Sequence, residues 1–419
     1  EYLLVRKTVL DNGITVVTER MLGVRSASLG FWVLTGSVDE TPEDAGLSHF
    51  MEHMLFKGTP TRDAVEISKS FDALGAELNA FTSKEHTCFF ARMMDKNLAP
   101  CFELLADMLV NSNFAPDAIE LEREVVLEEI AACEDTPDDY VYELFCDALF
   151  PHSPVGRPVL GTKRTVSSFT SEDLRRYHAA NYRTGNIAVV ACGNVDHAQI
   201  VELAKHWLEG LPQGPRRKRA RFAVDDARRL RALKRDGEQA HIVMGCPSVS
   251  VDAPERYACQ IVDSALGGGM SSRLFDEIRE KRGLVYSVYS MAQLYGGVGQ
   301  FEVYAGTRPE NIAEVVRITR DELGRMASQG LAREEFERVR EMVCGTYVLN
   351  LESPHDHMVR LGKMSMNGLE LSAIDATIDA YRSLTLEEVN DAAARLLAQE
   401  FTVAVISPFD KQEIERMVF

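Results

Sequence analysis

The chain of 419 residues begins with alternating apolar and polar positions that predict a β-hairpin. Residues 6–10 and 14–17 are rich in β-branched side chains, and Asn12 and Gly13 lie between them. Asn-Gly suits the tight turn that joins two antiparallel strands. A longer apolar run at 26–35 predicts a buried strand after this hairpin.

Amphipathic patterns predict helices over four later segments, with a strand between the second and the third of them. The helical segments are 43–57, 63–74, 95–111 and 116–133, and the strand is 77–92. This mixture of elements predicts an α+β fold in which a mainly antiparallel sheet packs against helices.

The order of elements over 89–126 is repeated over 301–343, where a strand again precedes a long helix and the start of a second helix. A duplication constrains the fold, so we predict two homologous halves, over 1–212 and 237–419, joined by a basic linker at 213–236. The linker combines Pro, Gly and Arg without apolar periodicity, and we therefore expect it to be exposed.

Composition and charge exclude several classes of function. No window approaches about 18 consecutive apolar residues, which argues against a membrane span. The 64 acidic and 46 basic residues give a net charge of −18, which opposes binding to nucleic-acid phosphates, although the basic linker leaves an anion-binding patch as an alternative. The eight cysteines form no C-x-x-C pair, so we expect buried thiols in a reducing compartment.

The most informative motif is His-x-x-Glu-His, formed by His49, Glu52 and His53 in the first predicted helix. Residues four apart project from one face of a helix, so both imidazoles can reach one metal ion. Glu52 lies beside that face, where its carboxylate can take a proton from water at the metal without being a ligand. The alternative is a pair of helix-face histidines that bond to nearby carbonyl groups.

A third ligand is expected from the helix predicted over 116–133. One face of this helix, by its spacing, carries Glu122, Val125, Val126 and Glu129. We therefore predict that both carboxylates share an inward-facing apolar stripe, where a metal and its histidines provide the partners that buried charges need. Two imidazoles and one carboxylate indicate zinc, although cobalt or manganese suits the same ligands.

Residues 46–59 and 122–130 together resemble the inverzincin metallopeptidases, the M16 or pitrilysin family that includes the mitochondrial processing peptidase and insulin-degrading enzymes. The separation of 76 residues between His53 and Glu129 is similar to that family's distance between its second histidine and its glutamate ligand. The resemblance covers essentially the whole chain. Its length resembles the short-chain branch, with mitochondrial processing peptidase and bacterial M16 peptidases.

This resemblance implies a role for each residue of the two motifs. His49, His53 and Glu129 match the ligands of one zinc ion per chain. Glu52 matches the general base, and Glu122 matches a supporting carboxylate one helical repeat before the third ligand.

The second half lacks the His-x-x-Glu-His motif but carries Arg279 and Tyr286. These two residues resemble an arginine–tyrosine pair that the family brings to the active site from its second half. The resemblance implies that Tyr286 donates a hydrogen bond to the oxyanion and that Arg279 holds the substrate backbone. The alternative for Tyr286 is a tyrosine in the core of the second half.

Two further segments are candidates for peptide binding. Asn79, Ala80 and Phe81 resemble the edge strand on which the family docks its substrate, although an ordinary strand has the same pattern. In relatives of the processing-peptidase type, acidic residues after the third ligand recognise arginine near the cleavage site. Asp139 and Glu143 are the closest positions here, and a solvated acidic turn is the alternative.

Together these observations predict a zinc-dependent endopeptidase for extended or unfolded peptides, with a preference for basic residues near the cleavage site as a further hypothesis. Long-chain relatives enclose a chamber with four domains, so we expect a homodimer in which each second half completes the partner's active site. The alternatives are a non-catalytic core or regulatory subunit of an M16-type assembly, and a metal-binding protein without hydrolysis. The lack of a leader favours a bacterial cytoplasmic protein, with a processed protein of an organellar matrix as the alternative.

Overall fold

The structure is a computed structural model that describes residues 5–222, 224 and 229–419. Its strands are β1 (Val5–Val9), β2 (Thr15–Arg20), β3 (Ser26–Val33), β4 (Glu77–Thr82), β5 (Thr87–Met94), β6 (Ile187–Gly193), β7 (Leu230–Lys234), β8 (Ala240–Ser248), β9 (Val285–Leu294), β10 (Gly299–Thr307) and β11 (Thr402–Ser407). Its helices are α1 (Leu47–Leu55), α2 (Ala64–Ala73), α3 (Leu98–Asn111), α4 (Pro116–Asp135), α5 (Pro137–Leu149), α6 (Lys163–Val166), α7 (Ser171–Asn181), α8 (His197–Trp207), α9 (Arg256–Gly267), α10 (Ile312–Gln329), α11 (Arg333–Leu349), α12 (Pro354–Met366), α13 (Ile374–Ser383), α14 (Leu386–Leu397) and α15 (Lys411–Val418). A π-helix, Phe275–Glu280, precedes β9.

The elements predicted for the first 135 residues are present, with one correction. The predicted hairpin is formed by β1 and β2, which pair antiparallel, and the predicted buried strand is β3. The single strand predicted over 77–92 is wrong, because β4 and β5 form a second antiparallel hairpin there. Its turn is closed by a hydrogen bond of 2.9 Å from the Ser83 N–H to the His86 carbonyl oxygen.

The chain folds into two compact units that are not consecutive in sequence. The first unit consists of Glu1–Ala131, Pro158–Arg219 and Asn350–Ala373, and the second of Ala132–Arg157, Ala220–Leu349 and Ile374–Phe419. Along the chain, Ala132–Arg157 of the second unit therefore interrupts the first unit, and Asn350–Ala373 of the first unit interrupts the second.

The sheet of the first unit has helices on both faces. Its strand order is β1-β2-β6-β3-β5-β4, and its pairs are antiparallel except for β2 and β6. Phe31 and Trp32 are neighbours in β3 and point to opposite faces, and both are fully buried. Phe31 packs on Phe102 of α3, while the Trp32 indole N–H donates to the Met358 sulfur of α12. A buried side chain of this size contributes about 1.5–3 kcal/mol, so both layers stabilise the sheet.

The sheet of the second unit repeats the topology of the first. Its order is β7-β11-β8-β10-β9, with β7 and β11 parallel and the other pairs antiparallel. These five strands correspond, in the same order, to β2-β6-β3-β5-β4 of the first unit. The parallel pair comes first in both orders. Helix α5 packs against β7, β8 and β11. The prediction of an α+β fold with two homologous sheets is confirmed.

Three arginines near the start of the predicted basic linker are bonded to other parts of the first unit, whereas residues 223 and 225–228 of the linker lie outside the described residues. Gln213, Pro215, Arg216 and Lys218 are exposed, as expected for the linker, but Arg217 and Arg219 are half-buried and both pair with the buried carboxylate of Asp39, at 2.6 Å each. The Arg216 guanidinium donates to the carbonyl groups of Ser365 and Met366 at the end of α12. These guanidinium groups thus join parts of the first unit and do not form a free anion-binding patch.

The cysteines are unpaired, as predicted. All eight are free thiols, and every one except Cys133 is buried. Burial raises the pKa of Cys101 to about 11, so this thiol stays protonated at neutral pH. No helix in the ranges that the structure describes is both long enough and apolar enough to cross a bilayer.

Candidate metal centre

The helix that carries the His-x-x-Glu-His motif is fixed at its N-terminus. The buried carboxylate of Glu40 accepts hydrogen bonds from the backbone N–H groups of Gly46 (2.9 Å) and Ser48 (2.7 Å), which have no partner within the helix. Gly46 has a φ of 95°, and a Cβ there would lie 2.8 Å from the Cα of Gly161. Only glycine allows the chain to enter α1 along this path.

The apolar residues of α1 pack into the core and leave the motif on the opposite face. Its buried residues are Leu47, Ser48, Phe50, Met51, Met54 and Leu55. His49, Glu52 and His53 lie on the half-buried face. The periodicity of the sequence therefore places both imidazoles and the glutamate side by side on one surface of the helix.

Helix α4 brings a third side chain to the two histidines. The distance between His49 Nε2 and Glu129 Oε2 is 3.4 Å, and that between His53 Nε2 and the same oxygen is 3.6 Å. One ligand atom from each of the three residues lies within 4.8 Å of the others. The side chain of Glu129 is 42% exposed, so the group is open to solvent on that side.

The chemistry of these three side chains fits a zinc ion. Two atoms that each lie about 2.1 Å from a tetrahedral ion are about 3.4 Å apart, which matches the distances from Glu129 to both histidines. Burial, together with the charge of His53, lowers the pKa of His49 to about 3, so this imidazole is neutral at physiological pH. The contact between a neutral imidazole nitrogen and a carboxylate oxygen is favourable when a cation or a proton lies between the two atoms.

A buried carboxylate orients one of the imidazoles. Glu122 Oε2 is 3.0 Å from His53 Nδ1, and Glu122 Oε1 is 2.7 Å from the ammonium nitrogen of Lys57. Because Nδ1 is bonded to Glu122, Nε2 of His53 faces Glu129. Lys57 supplies the positive charge that a carboxylate with only 8% exposure needs.

The stripe predicted on α4 is only partly correct. Glu122 and Val126 are buried, but Val125 is 44% exposed and Glu129 lies at the border with solvent. Viewed down the helix axis, Val126 lies on one side of Glu122 and Val125 and Glu129 lie on the other. The helix packs on the Val126 side, so Glu129 reaches the histidines from the rim of the buried face.

Glu52 stands next to the three candidate ligands but is not one of them. Its Oε2 accepts a hydrogen bond of 2.5 Å from the hydroxyl of Thr82, the last residue of β4. Burial raises the pKa of Glu52, with the Thr82 hydrogen bond acting in the opposite direction. The carboxylate is therefore a stronger base than an exposed glutamate, and one partner fixes its direction.

The other candidate residues are distributed over both units. Asn79, Ala80 and Phe81 lie in β4, which is an edge strand of the first sheet. Arg279 and Tyr286 belong to the second unit, and both are exposed. Tyr286 is 78% exposed, so it is not a core residue.

Asp139 and Tyr286 line the same cavity of the second unit. This cavity of about 390 Å³ is lined by Asp138, Asp139, Tyr142, Gln239, His241, Tyr286, Ser287, Tyr289 and Tyr304. The Tyr142 hydroxyl donates to that of Tyr289 at 2.8 Å, which holds two of the aromatic walls together. Glu143 is half-buried in the next turn of α5 and is not among the lining residues.

No contact with the motif of α1 or with Glu122 was predicted for Glu40, Lys57 or Thr82, although Thr82 ends the segment 78–82 that resembles the docking strand. Lys57 lies four residues after His53, so helical spacing was a signal for its position near Glu122. Glu40 and Thr82 are brought to α1 by tertiary folding, and no local pattern predicts their hydrogen bonds.

Comparison with known proteins finds similar sequences over most of this chain. Residues 15–163 match the family model described as "Insulinase (Peptidase family M16)", and residues 168–343 match that described as "Peptidase M16 inactive domain". An uncharacterized zinc protease of Mycobacterium tuberculosis is 42% identical over 409 residues, which cover 96% of this chain and 93% of the relative. An uncharacterized zinc protease of Bacillus subtilis is 35% identical over 408 residues, covering 97% of this chain and 98% of the relative.

Two solved structures share the fold at low sequence identity. A peptidase M16 inactive domain from Pseudomonas fluorescens has a TM-score of 0.91 and 21% identity, and the match covers 97% of this chain and 98% of that one. A protease from Helicobacter pylori has a TM-score of 0.88 and 21% identity, with 96% and 99% covered. The solved structures thus share the duplicated α+β fold of this chain, and the family models and relatives place its sequence in a family of peptidases. The chain belongs to the M16 peptidase family.

Proposed function

We propose that this protein is a zinc-dependent endopeptidase that hydrolyses extended or unfolded peptides. The observation that supports the proposal most directly is the position of Glu52, beside the group formed by His49, His53 and Glu129 but outside it. Zinc held by that group supplies Lewis-acid activation of a water molecule and of the scissile carbonyl.

Glu52 supplies the proton transfers that amide hydrolysis requires. Its carboxylate accepts the proton that the attacking water loses and passes it to the nitrogen of the departing amine. The raised pKa of Glu52, which results from burial, favours the first of these transfers. The hydroxyl of Thr82 keeps the carboxylate in one orientation during both.

The outer edge of β4 is the proposed docking site for the peptide. Helix α1 packs against β4, so an added strand would pass along the face that carries the histidines. A peptide that adds to an edge strand is held by backbone hydrogen bonds, here along Asn79, Ala80 and Phe81. Such binding selects an extended backbone rather than particular side chains, so we expect a preference for unfolded peptides.

Metal removal tests the proposed activity. Purified protein is expected to cleave internally quenched peptides, to lose this activity after treatment with a chelator, and to regain it with about one zinc ion per chain. Zinc content measured by atomic absorption and cleavage sites measured by mass spectrometry provide the two readouts. Zinc binding without cleavage of any peptide in a random library would support the non-catalytic alternative instead.

We further propose that the active site is completed in a homodimer. Arg279 and Tyr286 are both exposed, so both side chains are accessible to a substrate. In the proposed dimer, Tyr286 of one subunit would donate a hydrogen bond to the developing oxyanion of the peptide bound in the other subunit's site, and Arg279 would hold the peptide backbone. Each subunit then supplies the general base for one site and the oxyanion donor for the other.

Mixing two inactive variants tests this arrangement. If subunits exchange freely, Glu52→Gln and Tyr286→Phe should together recover up to about a quarter of the wild-type activity, because half of the dimers are mixed and each has one intact site. Light scattering and exchange of a labelled subunit confirm that mixed dimers form. A fully active monomer, or mixed dimers without activity, would contradict the arrangement.

The cavity at the start of α5 supports a preference for basic side chains. Two aspartates, Asp138 and Asp139, line this cavity together with tyrosines, and Tyr142 and Tyr304 stack with their ring centroids 5.8 Å apart. Carboxylates attract a cationic group, and aromatic faces add a cation–π interaction. We propose that this cavity receives an arginine or lysine side chain of the peptide.

Paired peptides test this preference. An arginine near the scissile bond should raise kcat/KM by about 10-fold over an alanine at that position, and Asp139→Asn should remove most of the difference. Asp135→Asn is the matched control, because Asp135 is an exposed acidic residue that does not line the cavity. Equal cleavage of the two peptides by the wild type would exclude a basic preference.

A further inference from the structure

We propose that Thr82 is a positioning residue that fixes the general base relative to the strand on which the peptide docks. This inference rests on the proposed function. The Thr82 hydroxyl donates to Glu52 Oε2 at 2.5 Å, and Thr82 is also the last residue of β4. One residue therefore joins the edge strand directly to the carboxylate that moves the proton.

The carboxylate of Glu52 needs such a partner. A glutamate side chain has three rotatable bonds, and each must be fixed for the oxygen to face the attacking water. Among the residues that the structure describes, Thr82 provides the hydrogen bond that Glu52 receives. The pairing also balances part of the cost of burying the carboxylate.

The turn after Thr82 holds this residue in place. Ser83 closes the turn with bonds of 2.9 Å from both its N–H and its hydroxyl to the His86 carbonyl oxygen. The backbone N–H of Val38 donates to the Lys84 carbonyl oxygen at 2.9 Å. A Cβ at Gly36 would lie 2.4 Å from the Ser83 carbonyl oxygen, so the two backbones are in direct contact.

A guanidinium group and an aromatic cluster fix the same hairpin from two further directions. Arg219 donates to the Glu85 carbonyl oxygen at 2.5 Å and to Asp39 at 2.6 Å. The ring of Phe81 meets that of Trp32 edge to face, with the centroids 5.4 Å apart. The hydroxyl of Thr82 is thus presented by a rigid support, which is the condition for precise positioning of a reactive group.

Thr82 thus connects the position of a bound peptide to the orientation of the Glu52 carboxylate. A peptide added to β4 takes its position from the backbone of that strand, and Glu52 takes its direction from the end of the same strand. The distance between the peptide carbonyl and the base is therefore set by one hairpin. A small displacement of the carboxylate would slow proton transfer without weakening peptide binding.

Thr82→Val and Thr82→Ser test the proposal. Valine keeps the shape and β-branching of threonine but lacks the hydroxyl, so kcat should fall about 10- to 100-fold with KM changed less than about twofold. Serine retains the hydroxyl and should restore kcat to within about threefold of the wild type. Thr8→Val is the control: it removes a hydrogen bond of 2.8 Å to His197 at the opposite edge of the sheet and should leave kcat unchanged.

Crystal structures of the free wild type and both Thr82 variants give a readout that does not depend on activity. The Glu52 carboxylate should occupy one position in the wild type and the Ser variant, and should move or become disordered in the Val variant. An unchanged carboxylate in the Val variant, an unchanged kcat, or a raised KM with unchanged kcat would overturn the proposal. Because the carboxylate is observed without substrate, this result stands even if the wild type cleaves no peptide.

Discussion

Glu52→Gln is expected to lower kcat for peptide hydrolysis by about 10²- to 10⁴-fold, the usual contribution of a general base, and to leave zinc binding intact. Glutamine has the same shape and can still accept the hydrogen bond of Thr82, but its amide cannot take the proton of the attacking water. Since the three candidate ligands are unchanged, the stoichiometry of zinc should remain near one per chain.

Steady-state kinetics with a quenched peptide and metal analysis of the same preparation measure this effect. Glu43→Gln is the matched control, because Glu43 is an exposed glutamate shortly before α1. A variant that loses zinc along with activity would show that Glu52 has a structural role instead. Full activity without the Glu52 carboxylate would remove the general base from the proposed mechanism.

Glu129→Gln is expected to weaken zinc binding by at least about 100-fold, since loss of even an outer partner of a metal ligand costs about 10- to 100-fold. The substitution keeps the size of the side chain but removes the charge that lies 3.4 Å from His49 and 3.6 Å from His53. Competition with a chromophoric chelator measures the affinity in the absence of any substrate.

Glu128→Gln provides the control for Glu129. The two residues are adjacent in α4, but the side chain of Glu128 is exposed and does not belong to the ligand group. Zinc affinity should therefore be unchanged in Glu128→Gln. Equal zinc affinities for the two variants would mean that the carboxylate of Glu129 does not hold the metal.

The short-range parts of the site could be predicted from the sequence. The spacing of His49, Glu52 and His53 on one helix follows from 3.6 residues per turn and needs no tertiary information. The hairpin of β1 and β2 follows in the same way from the Asn12-Gly13 turn. In both cases the interacting residues are close in sequence, so local geometry brings them together.

The spacing of residues along α4 did not by itself predict which of its side chains are exposed. Glu129 lies 20° around the helix from Glu122 in an ideal geometry of about 100° per residue, so the sequence suggested equal burial. Burial depends on which neighbour covers the helix, and the covered side is that of Val126. The sequence pattern shows which residues share a face of the helix. It does not show where the contact between that face and the rest of the protein ends.

Contacts between residues far apart in the chain could not be predicted from the sequence either. Thr82 bonds to Glu52 across 30 positions, and Arg219 pairs with Asp39 across 180 positions. Charged residues in a Pro- and Gly-containing segment usually lie in solvent, which is why the arginines of the linker were expected there. Their acidic partner is brought to them only by folding.

The position of α12 in the first unit has a consequence for synthesis of the protein. Every strand of the first sheet has been translated once Gly193 leaves the ribosome, but α12, which covers Trp32, begins only at Pro354. At about 5–20 residues per second, translation of the 161 residues from Gly193 to Pro354 takes about 8–32 seconds, during which one apolar face of the nascent sheet is uncovered. We expect chaperones to bind this face during translation, and a chain that stops before α12 to aggregate rather than yield a stable first unit.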